Sequence, residues 1–144
     1  MITDIQATLS DEQALTATAA STNTFDAGAN YDWSRGEPMC VLFTVVTAAS
    51  TNDGNETYSF GVQTDDNSSF SSAVTLGTKA VAGSLLTAGA QVVVPFAEGA
   101  EQYTRAQYTL GGTTPSITVT AEVKPLCDVQ SQTTDLPSGY SVTI

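Results

Sequence analysis

Between Tyr103 and Lys124 the chain alternates twice at period two, and this double alternation limits what it can fold into more than any other stretch. Thr104, Ala106, Tyr108 and Leu110 fall on one face, and Tyr103, Arg105, Gln107 and Thr109 on the other, the pattern of a strand with one buried side. Gly111-Gly112-Thr113-Thr114-Pro115 interrupts it, because paired glycines accept positive φ and proline has no N–H to give a ladder. A second alternation follows, with Ile117, Val119, Ala121 and Val123 inward and Thr118, Thr120, Glu122 and Lys124 outward. The reading predicts a hairpin at the centre of the fold.

The same rhythm recurs upstream. Tyr58, Phe60, Val62 and Thr64 oppose Ser59, Gly61 and Gln63, just after the Asn52-Asp53-Gly54-Asn55 turn signal. Shorter strands are expected over 73–78 and over Gln91–Phe96, where Pro95 marks an edge or a strand end. Met39 to Thr47 is apolar on both faces, so it needs two covers: the opposing sheet and, in preference to another subunit, the chain's own N- or C-terminal segment. At the N-terminus, Ser10-Asp11-Glu12-Gln13 has the spacing to cap one helical turn, whereas Leu15-Thr16-Ala17-Thr18 suits a strand. Ser21–Phe25 reads as a further short strand, and Asp26–Gly36 as a loop carrying the only tryptophan, Trp33.

Strands recur about every ten residues with turns between them, and no helical run of that length is visible. The expected fold is therefore all-β: a single-domain antiparallel β-sandwich of jelly-roll type with extended terminal segments. Residues 1–125 would form the sandwich. Residues 126–144, polar and then alternating at Tyr140, Val142 and Ile144, would form a C-terminal extension or arm that crosses to a neighbouring subunit. Deleting that arm is expected to leave the domain folded.

A composition of 41% hydrophobic and 13% charged residues, rich in Ser, Thr, Val, Ala and Gly, agrees with one globular β domain. Fifteen acidic against 4 basic residues give a net charge of −11, which opposes nucleic acid and anionic membrane as partners. No apolar run approaches the roughly 20 residues that span a bilayer, and no secretory pattern opens the chain, so a soluble protein is expected unless a signal was cut away.

The absence of histidine removes Ser-His-Asp and Cys-His catalysis and every imidazole metal site. The chain is read as no enzyme, with no catalytic residue, no metal and no cofactor. Asp65-Asp66-Asn67 is the densest acidic group, and a solvated turn explains it better than calcium. Cys40 and Cys127 leave two readings, a disulfide tying the C-terminal segment down or a buried free thiol. Arg105, outward between Tyr103 and Gln107, would meet a carboxylate or an aromatic at an interface, or else form an ordinary cross-strand ion pair with Glu122 or another acid. The candidate interface residues are Tyr103, Arg105, Gln107, Tyr140, Val142 and Ile144. A carbohydrate-binding sandwich is the alternative, and it requires Tyr31 and Trp33 to form an exposed flat platform.

Several short motifs occur in a telling order: Ser10-Asp11 with Gln13, the small-residue run Ala17 to Ser21, Gly36-Glu37-Pro38, Gln63-Thr64-Asp65-Asp66-Asn67 with Phe70-Ser71-Ser72, and Tyr103 with Arg105, Tyr108 and Gly111 to Pro115. In this order and spacing the chain resembles the Bbp16-type capsid cement (decoration) proteins of tailed bacteriophages, from about the N-terminus to Val123. The resemblance implies a jelly-roll sandwich on the outer surface of an icosahedral head, linking neighbouring copies of the major capsid protein. It implies a homo-oligomer, a dimer before a trimer, made in the host cytoplasm and carried on the virion. The acidic surface adds that packaged DNA would repel a protein lining the inner wall.

Overall fold

A computed structural model describes residues 5–133. Its strands are β1 (Thr8–Leu15), β2 (Ala19–Ala20), β3 (Phe25–Asp26), β4 (Met39–Thr47), β5 (Thr57–Asp65), β6 (Val74–Val81), β7 (Gln91–Phe96), β8 (Tyr103–Gly111) and β9 (Ile117–Pro125), followed by a helix, α1 (Leu126–Thr133). They form two antiparallel sheets, a four-stranded one in the order β1-β9-β4-β7 and a five-stranded one in the order β2-β8-β5-β6 with β3 also on β8. The fold is an all-β sandwich. Its pairings nest: β1 with β9, β2 with β8, β4 with β7, and β5 with β6. In effect one long hairpin has been folded across two layers.

That nesting overturns the expected β8–β9 hairpin. Each strand alternates as predicted, but β8 lies between β2 and β5 in one sheet and β9 between β1 and β4 in the other. The glycines serve a crossing between layers instead. Gly112 has φ +98°, and a Cβ there would stand 2.7 Å from the Asn55 carbonyl oxygen. The crossing is pinned from both sides, since Asn55 Nδ2 donates to Thr113 Oγ1 at 2.9 Å and Thr113 N donates to Asn55 Oδ1 at 3.1 Å.

Between the layers, Phe43 of β4 meets Phe60 of β5 and Tyr108 of β8, with ring centroids 5.1 and 5.7 Å away. Leu9, Val41, Val45, Val62, Val92 and Val119 fill the space around them. One polar pair is buried with these rings: Ser10 Oγ lies 2.8 Å from the Tyr108 hydroxyl and donates to Gln13 Oε1 at 2.6 Å. The Ser10–Gln13 spacing therefore belongs to a strand and not to a helix cap. β1 slips register between Thr8 and Ser10 and again between Ser10 and Gln13, and Glu12 takes φ +47°. These bulges turn both polar side chains inward.

The second cover of β4 is the chain's own C-terminal segment. Val129 and Leu126 of α1, with Val93, pack on Cys40 and Leu42. The sequence reads as polar and without a helix from 126 onward; the structure forms one over Leu126–Thr133, and Leu126 and Val129 face the sheet. Lys124 points outward from the sandwich as expected, but on the side that α1 covers: it is 4% exposed, with Nζ 3.2 Å from Glu122 Oε2.

A truncation follows from this cover. Removing residues 126–144 should cost about 2–3 kcal/mol more than ending the chain after Thr133, the worth of one well-buried aliphatic side chain. Urea titration of the two truncated proteins beside the full chain checks it, and equal midpoints for the two would refute the cover.

Candidate interaction surface

The outward residues of β8 share one face of the five-stranded sheet. Tyr103, Arg105 and Gln107 are half-buried there and stand across from Asp65, Gln63 and Gly61 of β5. Arg105 Nε donates to Gln63 Oε1 at 3.0 Å, and its guanidinium carbon sits 4.2 Å from the centre of the Phe70 ring. Of the readings open for Arg105, stacking on an aromatic is the one realised, and the aromatic is the chain's own. The ion pair with Glu122 does not form, because β9 belongs to the other sheet and Glu122 is held by Lys124.

Phe70 reaches Arg105 from a shaped loop. Its φ of +53° is left-handed, a conformation that costs a bulky residue about 1–2 kcal/mol. Loop hydrogen bonds oppose that strain. The Asp65 carboxylate accepts from Asn67 N at 3.1 Å and Ser72 N at 2.8 Å, and Asn67 Oδ1 accepts from Ser69 N and Ser69 Oγ, both at 2.9 Å. Burial works against ionisation of Asp65, but the N–H groups of Ser72 and Asn67 outweigh it and hold the carboxyl below its usual range. The acidic cluster is a loop-closing device. Among the described residues no group of three or more Cys, Asp or Glu is placed to hold a metal ion.

Thr64 completes the junction, donating to Tyr103 O at 2.9 Å and accepting from Glu101 N at 2.7 Å. Residues about 40 positions apart in sequence, Gln63 to Ser72 and Tyr103 to Arg105, thus meet in one place. Phe70 is the member that alternation alone missed; its only signal was the Phe70-Ser71-Ser72 motif. Tyr140, Val142 and Ile144 lie outside the described residues.

Tyr31 and Trp33 do not form the exposed flat platform that sugar stacking requires. Trp33 turns inward between Phe25 and Phe96, at 4.8 and 5.6 Å between ring centres, and its Nε1 donates to Glu101 O at 2.9 Å. Tyr31 is 55% exposed, away from that packing, and Tyr58 is buried. Asp32 clamps the same loop, accepting from Gly99 N at 2.9 Å and Ser34 Oγ at 2.7 Å, and these donors lower its pKa. Both cysteines are free thiols. Burial pushes the Cys40 thiol up to about 12, against a weaker opposing pull from Lys124, so Cys40 is a core residue without thiolate chemistry. Cys127 is exposed, its sulfur 3.9 Å from Glu37 Oε1. Among the described residues no helix is long and apolar enough to cross a membrane.

Fold and surface together define an antiparallel β-sandwich in which, among the described residues, a C-terminal helix packs on the outer face of one sheet and no helix packs on the outer face of the other. Residues 9–123 match the family model named Bbp16, and the chain belongs to that family. No curated protein matches it.

The stacked pair gives a measurable coupling. A double-mutant cycle on Arg105→Ala and Phe70→Ala, read by denaturant unfolding, should return about 0.5–1 kcal/mol. A coupling indistinguishable from zero would mean that the ring does not fix the guanidinium.

Proposed function

We propose that the chain is a bacteriophage capsid decoration, or cement, protein. It binds the outer surface of the assembled head and stabilises contacts between major capsid protein subunits. The observation that carries this reading is the family match over residues 9–123, joined to the nested pairing of the strands, which we read as a jelly roll. The buried, protonated Cys40 thiol, the loop-bound carboxylates and the inward Trp33 favour a clamp over a hydrolase or a sugar-binding module. The mechanism is linkage: a protein that binds assembled shell and not free subunits stabilises the shell by mass action, by about 2.7 kcal/mol per site at a concentration of 100 times its Kd.

The outer surface is preferred because a net charge of −11 per copy would be repelled by packaged DNA. The working unit is a homo-oligomer at local symmetry axes, a dimer before a trimer. Nucleic acid and membrane are not partners, and no cofactor is needed.

The test is addition of purified protein to mature heads that lack it. The protein should sediment with the heads, raise their rupture temperature by several degrees and leave unassembled capsid protein unbound. Failure to bind heads, or equal binding to free subunits, would contradict the proposal.

A further inference from the structure

Two features on the outer face of the five-stranded sheet do nothing to hold the domain together. The first is Gly61, in the middle of β5 between β6 and β8. A glycine there costs about 0.5–1 kcal/mol relative to alanine, yet neither its backbone nor its packing requires one. A Cβ would meet Gln107 O, Gly77 O and Thr78 Oγ1 at 3.5–3.7 Å, which is ordinary contact. The missing side chain leaves the floor of a shallow hollow of about 200 Å³ open between Gln63, Thr75, Thr78, Gln107 and Thr109.

The second is the free end of Arg105. The chain has only 4 cations against 15 acids, but this one gives its Nε to a neutral amide and its flat face to Phe70. Among the described residues its two terminal nitrogens meet no carboxylate. Gln63 joins the two features, accepting from Arg105 while lining the hollow. A guanidinium held on one edge and one face keeps its fork pointed and has lost its rotamer freedom in advance. The ligand that fits two parallel N–H donors is a carboxylate.

We propose that this face seats the partner protein, with an aspartate or glutamate of the partner bound by the Arg105 fork and a neighbouring segment of the partner lying in the hollow over Gly61. This rests on the reading of the chain as a clamp on an assembled shell, and it names the face and the chemistry of the contact. A polyanion is a poorer occupant, because the whole chain repels it while a single carboxylate on a mixed surface meets only the local field. A second copy of the chain fits poorly too. A two-fold interface would set this face against itself, where the acid at its rim, Asp26, is already engaged by Gly28 N at 2.8 Å and Gln102 Nε2 at 3.0 Å.

The experiment measures the affinity of the full-length protein for mature heads with three variants. R105Q removes the fork. G61T fills the hollow and should unfold no more readily than the wild type. R35Q makes the same charge change at a guanidinium 76% exposed, far along the chain beside Asp32. R105Q and G61T should each weaken binding about tenfold or more, and R35Q should stay within about twofold of wild type. If wild type binds heads and R105Q or G61T binds them equally, this assignment fails while the cement reading stands. If R105Q and R35Q weaken binding alike, the effect is general charge and the assignment also fails. Self-association that R105Q abolishes, with head binding intact, would give the face to a second copy and overturn it. Wild type that ignores heads overturns the cement reading first.

Discussion

The buried hydroxyl of Tyr108 is the bond on which the rest of the sandwich depends. Its ring stands edge-on to Phe43 and Phe60, at 5.7 and 6.1 Å between centres, so it touches both sheets. Ser10 spends its one proton on Gln13, which leaves Tyr108 as donor to Ser10. Gln13 then reaches into the other layer, donating to Ala20 O at 3.0 Å and accepting from Thr22 N at 3.1 Å. Burial raises the Tyr108 pKa far above the ordinary phenol range, against the Ser10 hydrogen bond that lowers it, so the group stays neutral and donating. A buried hydroxyl left without a partner costs about 1–3 kcal/mol. Sliding β1 by one residue would orphan Tyr108, Ser10 and Gln13 together, and in this way the network fixes register as well as adding stability.

Much of this was legible in the sequence, because a half-buried strand records its burial at period two. The alternations of β5, β8 and β9 appear in the burial of their side chains almost residue for residue. Pairing is a different matter. Alternation says which side of a strand is dry, not which strand lies beside it, and a Gly-Gly-Thr-Thr-Pro stretch serves a hairpin or a crossing equally well. The pairing of β8 with β5 and of β9 with β4 separates the two, and the close approach of Gly112 to the Asn55 carbonyl belongs to the crossing. The burial of Lys124 was hidden for a related reason: alternation places it outward from the sandwich, but does not say that a helix covers that side. The surface junction was half legible. The Arg105 side chain was singled out, but its contact with Phe70 spans two strands and a left-handed loop residue, and no local pattern encodes that.

The four sheet edges narrow how this domain can associate. β1 is bulged and carries Asp11 and Glu12; β2 has only two residues. β7 contains Pro95, and β6 slips register against β5 at Leu76 and bears Lys79. Each of these blunts strand addition. One sheet face is closed by α1 over Cys40 and Leu42. Among the described residues this leaves the outer face of the five-stranded sheet as the broad regular surface still open, uncharged across Ser59, Gly61, Gln63, Gln107 and Thr109 and cationic at Arg105. The chain has a net charge of −11, yet among the described residues the acids lie in loops, at edges and on the other sheet, and this face carries only Asp26 at its rim and Asp65, whose carboxylate is turned into its own loop. On the proposed reading as a clamp, this face supplies a regular contact surface with one fixed anchor, Arg105.

Hydroxyl-radical footprinting of the protein free and bound to mature heads tests that idea most directly. Docking through the open face predicts strong protection of Phe70 and Tyr103 on binding, with Tyr31 and Cys127 oxidised as fast as before. Protection of Cys127 and the α1 side, with Phe70 and Tyr103 unchanged, would contradict it.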